Sequence, residues 1–209
     1  DALGANTTAS NNTAVGYNAL TANTTATNNT AVGTSSGTAL TTGALSTFVG
    51  SNAGAAATTV SDNTAIGAYA FDAGTGASNT AVGSGALGGA SNSAANNTAV
   101  GKDAGNSIST GTRNVAVGAN ALDALTTGTD NTAVGKDALT AATTGNYNIA
   151  FGTALAATTT GAQNVAVGFA ALGSNTTASG NVAVGDYALN ANTTGSQNVA
   201  IGKNSSSAV

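Results

Sequence analysis

Proline is missing from all 209 residues, as are cysteine, histidine, methionine, tryptophan and glutamate. Each absence removes a class of chemistry. Without Pro, every residue keeps its backbone N–H, as an uninterrupted hydrogen-bond ladder requires. Without Cys and His there is no thiolate or imidazole metal site, no nucleophile–base pair built on them and no disulfide framework. Charged residues make up 6% of the chain and aromatics 4%. A core rich in Phe, Leu and Ile is therefore out of reach, yet so is a highly charged disordered tail. The net charge is −4, with eight Asp against four Lys and Arg. No basic patch exists to follow a phosphate backbone, so nucleic acid is not an expected partner. No run approaches the eighteen or so apolar residues of a membrane-spanning helix.

Repetition is what the chain has. A phrase of the form Asn-Thr/Val-Ala-Val-Gly closes on Gly16, Gly33, Gly50, Gly67, Gly83, Gly101, Gly118, Gly135, Gly152, Gly168, Gly185 and Gly202. Successive glycines are 17 residues apart, apart from two gaps of 16 and one of 18. That period is too short for helical repeats, and no helical periodicity accompanies it. It predicts an all-β solenoid, a parallel β-roll of about 12 coils with a 17-residue repeat. At the usual interstrand spacing, twelve coils would make a rod of about 58 Å.

Within a repeat, the four residues before the glycine alternate. Their pattern predicts a short strand with Thr/Val and Val/Ile facing a thin interior and Ala facing away. After the glycine come one or two variable residues and then Ala-Leu, as in Ala19-Leu20, Ala121-Leu122 and Ala188-Leu189. This predicts a second short strand whose Leu returns to the interior. Segments such as Asn23-Thr24-Thr25 and Thr126-Thr127-Gly128 suit the closing turns.

Two columns and one pair emerge from this register. Asn12, Asn29, Asn63, Asn79, Asn97, Asn114, Asn131, Asn148, Asn164, Asn181 and Asn198 stand four before their glycines, with Ser46 as the exception. They are expected to stack as an amide ladder, bonding one another or the nearby turn backbone. A row of outward Ala would let a second copy approach closely. Arg113 and Asp130 both stand twelve residues after a repeat glycine in adjacent coils, which predicts a surface ion pair of modest worth. Asn-x-Ser/Thr sequons occur at Asn6, Asn11, Asn23, Asn28, Asn96, Asn175, Asn192 and Asn204, as expected in a chain this rich in Asn and Thr.

The phrase Asn-x-Ala-Val/Ile-Gly, followed by a small-residue turn, Ala-Leu and Asn-Thr-Thr-Gly, resembles the head repeats of trimeric autotransporter adhesins. It is also similar to repeats of related bacterial surface proteins and phage tail-fibre proteins. The resemblance spans about residues 11 to 203. It implies a left-handed β-roll, three chains side by side as a homotrimer, and an adhesive or spacer role outside the cell or on a virion. Its partners would be copies of itself, and a surface glycan or host receptor.

The chain starts within a repeat, Asp1-Ala2-Leu3 matching Asp137-Ala138-Leu139. Residues 1–209 are thus expected to be one repeat domain excerpted from a longer fibrous protein. The eight Asp show no close recurrent spacing of the kind that paired catalytic carboxylates need, and the Gly-Gly-x-Gly-x-Asp calcium nonapeptide is absent. No catalytic residue, cofactor or metal is expected. A structural, adhesive fibre segment is the leading function. The alternatives are a self-assembling extracellular filament without its own ligand and an ice-binding solenoid. Against the last, strand Thr gives way to Val115, Ile149, Val165, Val182 and Val199.

Overall fold

The computed structural model describes residues 1–89 and 93–206. Its regular elements are twelve three-residue strands: β1 (Thr13–Val15), β2 (Thr30–Val32), β3 (Thr47–Val49), β4 (Thr64–Ile66), β5 (Thr80–Val82), β6 (Thr98–Val100), β7 (Val115–Val117), β8 (Thr132–Val134), β9 (Ile149–Phe151), β10 (Val165–Val167), β11 (Val182–Val184) and β12 (Val199–Ile201). All twelve join one parallel sheet in chain order. The register is unbroken: Ala99 pairs with Ala116, and Ala116 with Ala133. The fold is thus a β-solenoid with one strand per coil, about 53 Å from first strand to last.

The coil-to-coil bonding continues beyond the strands. Gly118 N–H donates to Val100 C=O at 2.8 Å, Leu122 N–H to Ala138 C=O at 3.1 Å, and Thr126 N–H to Thr143 C=O at 2.8 Å. Turns and loops therefore stack in the same ladder as the sheet. This is where the absence of Pro matters, since a missing donor would break a bond between coils.

The interior reverses the expected facing of the strands. Ala31, Ala65, Ala81, Ala99, Ala116, Ala133, Ala150, Ala166 and Ala183 are buried, while the Thr and Val on either side are half-buried or exposed. Val15 is 57% exposed and Ile201 72%. The reason is width. A coil carrying a single strand encloses a narrow lumen, and strand Ala, turn Ala such as Ala121 and Leu such as Leu122 already fill it. Two Val per strand turned inward would overpack it.

The Ala-Leu segment is a tight turn and not a second strand. Its Leu does return to the interior, fully buried, but with φ near +50° at Leu20, Leu87, Leu122, Leu139, Leu155, Leu172 and Leu189. A second left-handed residue stands two before Leu, as at Asn18, Asn120 and Tyr187, and a third lies just before the Asn column, as at Asn28, Asn96 and Asp130. Positive φ is costly for β-branched side chains, and none of the residues with positive φ is Val, Ile or Thr. An apolar residue without branching at Cβ is what this turn accepts.

Where the Leu column carries Gly, volume arrives from elsewhere. Phe48 replaces the strand Ala of β3 and is wholly buried. A Cβ added at Gly37 or Gly54 would lie 2.9 or 2.5 Å from its ring. The Phe thus occupies the space of the two missing Leu. Similarly Ile108 packs over Gly105, where a Cβ would meet its Cδ1 at 2.9 Å. The repeat glycines answer to a different constraint. With φ near +130°, Gly118 lies so close to the next coil that a Cβ would sit 2.4 Å from Gly135 O.

Replacing Leu122 tests the turn. Leu122→Met keeps a side chain unbranched at Cβ and should be tolerated, whereas Leu122→Ile, of equal volume, should cost about 1–3 kcal/mol more through strain at φ 53°. Denaturant midpoints of the two variants measure the difference.

Candidate functional site

The Asn column is built by the strand alternation. Asn stands two residues before the inward Ala, so its amide also points inward, and Asn29, Asn63, Asn79, Asn97, Asn114, Asn131, Asn148, Asn164 and Asn181 are buried. Each side chain makes two bonds to backbone. Its Oδ1 accepts the N–H of the next Asn along the column, as Asn131 N–H donates to Asn114 Oδ1 at 3.0 Å and Asn148 N–H to Asn131 Oδ1 at 2.9 Å. Its Nδ2 donates across the coil to the closing loop, to Gly128 O from Asn114 and to Gly145 O from Asn131, at 2.9 and 2.8 Å.

The column runs from Asn12 to Asn198. Ser46 keeps only half the pattern: its Oγ accepts Asn63 N–H at 3.2 Å, but it has no amide to reach across the coil. A second ladder is made of hydroxyls. Oγ1 of Thr24, Thr41, Thr126, Thr143, Thr159 and Thr176 each donates to the carbonyl of the matching residue one coil on. This column does not stand out in the sequence, because loop Thr are common throughout.

Buried amides also decide which sequons are reachable. Asn23, Asn175 and Asn192 lie inside the coil and bond the carbonyls of Ala26, Ala178 and Gly195 in their own loops. These three are closed to glycan attachment.

Charge lies on the outside. Arg113 Nε and Nη2 donate to the two carboxylate oxygens of Asp130 at 2.7 and 2.8 Å, a bidentate pair between adjacent coils. That bonding holds the Asp130 carboxyl below the usual carboxylate range. Lys102 pairs with Asp103, and Lys136 with Asp137. Asn120 Nδ2 donates to Asp137 Oδ1 at 2.9 Å. Bonding from Lys136 and Asn120 lowers the Asp137 carboxyl, while burial, with Asp103 and Asp137 nearby, raises that of Asp123. Among the described residues no cavity opens and no three acidic side chains converge as metal ligands.

The outward face of the sheet runs the length of all twelve strands. Val15, Ile66, Val100, Phe151, Val167 and Ile201 stand in one exposed column, with Thr13, Thr98, Ile149 and Val199 among those in the column beside it. No strand carries a charge. Any close neighbour on this side would therefore meet Val, Ile and Thr, and not the Ala expected from the sequence. No protein-family model, curated protein or solved structure matches the chain.

Asn131→Ala leaves Asn148 N–H and Gly145 C=O without partners and should cost about 2 kcal/mol or more. Asn131→Ser should cost less, because serine can keep the column bond as Ser46 does; paired denaturation curves check this. Asp130→Lys should lower the melting temperature at low ionic strength, with the difference shrinking in high salt. Because the folded carboxyl is lowered, wild-type Asp130 contributes above its unfolded value of about 3.9. Its advantage over Asp130→Asn should fade as pH falls through the lower folded value.

Proposed function

We propose that the chain is a stiff, repetitive segment of an extracellular fibre, at a bacterial surface or on a virion, serving attachment or spacing. In this reading copies associate side by side as a homotrimer. The observation that carries it is the uncharged outward face of the sheet. The face is three residues wide and twelve strands long, roughly 10 by 53 Å. At about 500 Å² in plan, it lies in the range of the largest patch on a typical monomer, which is often functional.

Identical copies can meet across it without like-charge repulsion, since every outward strand residue is Thr, Val, Ile or Phe. The repeat resemblance adds a left-handed coil and threefold packing to this reading. Repetition supplies the mechanism: weak contacts multiplied along the rod and across copies.

An ice-binding solenoid remains as a second reading because of one observation. Thr13, Thr30, Thr47, Thr64, Thr80 and Thr98 stand on six consecutive strands of the outward face, each with Val or Ile two residues on. Both readings use the same face and so exclude one another on one molecule.

Light scattering should give three times the 19.4 kDa of the single chain. Val117→Lys with Val134→Lys, two charges placed mid-face, should yield monomers with an unchanged β-type circular dichroism spectrum. A monomeric wild type would remove the trimer. Thermal hysteresis in the same sample would favour ice; the fibre reading expects none.

A further inference from the structure

We propose that the turn edge at Phe169, Asp186 and Tyr187 is a binding patch for a pyranose sugar. This gives the attachment reading a ligand class and rests on that reading, but uses a different surface. The two columns involved are the first and second residues after the repeat glycine. On three successive coils they read Phe169-Ala170, Asp186-Tyr187 and Lys203-Asn204.

Backbone bonding fixes the array. Tyr187 N–H donates to Phe169 C=O at 2.8 Å, and Asn204 N–H to Asp186 C=O at 2.9 Å. Asp186 Oδ1 accepts Phe169 N–H at 3.0 Å, which ties the carboxylate beside the rings.

The two rings meet edge to face, with centroids 5.3 Å apart and planes at 73°. Even so packed, Phe169 is 53% exposed and Tyr187 41%. In a chain so poor in aromatics, this is a concentrated apolar corner bordered by the Asp186 carboxylate, with Lys203 and Asn204 holding the same two columns one coil on. A pyranose has the complementary pattern: an apolar C–H face that packs on a ring, and equatorial hydroxyls around it that donate to carboxylate and accept from amide or amine.

The neighbouring coil leaves space on one side. The turn after Gly152 is one residue short, passing directly from Thr153 to Ala154-Leu155. Thr153 Oγ1 donates to Lys136 O at 3.1 Å, where other coils use a backbone N–H, as Asp137 N–H does to Ala119 O. The second column therefore carries no side chain between Asp137 and the small Ala170. Elsewhere on this edge aromatics stand alone. Tyr17 is followed one coil on by Thr34 and Ser35, and Tyr69 by Ser84 and Gly85, while Phe71 turns inward and is buried.

The test is saturation-transfer NMR with four probes: the methyl glycosides of β-glucopyranose, β-galactopyranose, α-mannopyranose and β-N-acetylglucosamine. Transfer to ring C–H protons of at least one sugar is expected from wild type. Phe169→Ala and Tyr187→Ala should weaken binding about tenfold, the scale of one lost aromatic contact. Asp186→Asn should weaken it less, and Tyr69→Ala should leave it unchanged. No transfer to any of the four sugars overturns the proposal, as does equal transfer from the folded ring variants. If those variants do not fold, the Tyr187 ring resonances of wild type decide: they shift on titration or the patch is not a sugar site. Light scattering reports association separately, so either proposal can fail alone.

Discussion

Backbone hydrogen bonding from one coil to the next is the constraint to which every other feature accommodates. Each coil must lie flat on its neighbour, about 4.8 Å away, around its whole perimeter. Glycine stands where two backbones meet too closely for a Cβ, as at Gly118 against Gly135. Residues with positive φ turn the chain within a single plane. Where the backbone cannot satisfy itself, the Asn amides supply both a donor and an acceptor; the Thr hydroxyls add a second donor to carbonyls that already accept a backbone N–H, as Thr143 C=O does from Thr126. The polar composition is thus largely spent inside the ladder.

The core is correspondingly thin, and Ala suits it for more than size. Burying Ala forfeits no rotamer freedom, so a small gain per residue is not offset by side-chain entropy. Local volume is conserved by exchange between columns, with Phe48 standing over Gly37 and Gly54. Such exchanges show that neighbouring coils share one continuous packing problem, even though each contacts only those beside it.

The coil, its period and the strand register were legible because they depend only on spacing. The Arg113–Asp130 pairing followed from the same arithmetic, both residues having one offset from their glycines. Which side of the strand faces inward was not legible from hydropathy. Val outranks Ala as an apolar residue, but lumen width decides between them, and width is a property of the closed coil. The signal was in the alternation: Asn shares parity with Ala, and an amide serving the backbone of its own coil must lie inside. The Ala-Leu turn reads as a strand for a similar reason, since positive φ leaves only a negative trace, the missing Val, Ile and Thr. The Phe169–Tyr187 contact is not visible in the repeat register because the two rings belong to adjacent columns and not to one.

The shortened turn after Gly152 has a consequence for how such a chain tolerates change. One residue is lost there, a hydroxyl replaces the missing N–H, and β10 still pairs with β9 in register. The molecule measures its length in strands and not in residues. An insertion or deletion is absorbed within the perimeter of a single coil and is not passed on to the next. Errors in copying therefore stay local, and the turn edge is free to vary in sequence while the sheet keeps its count.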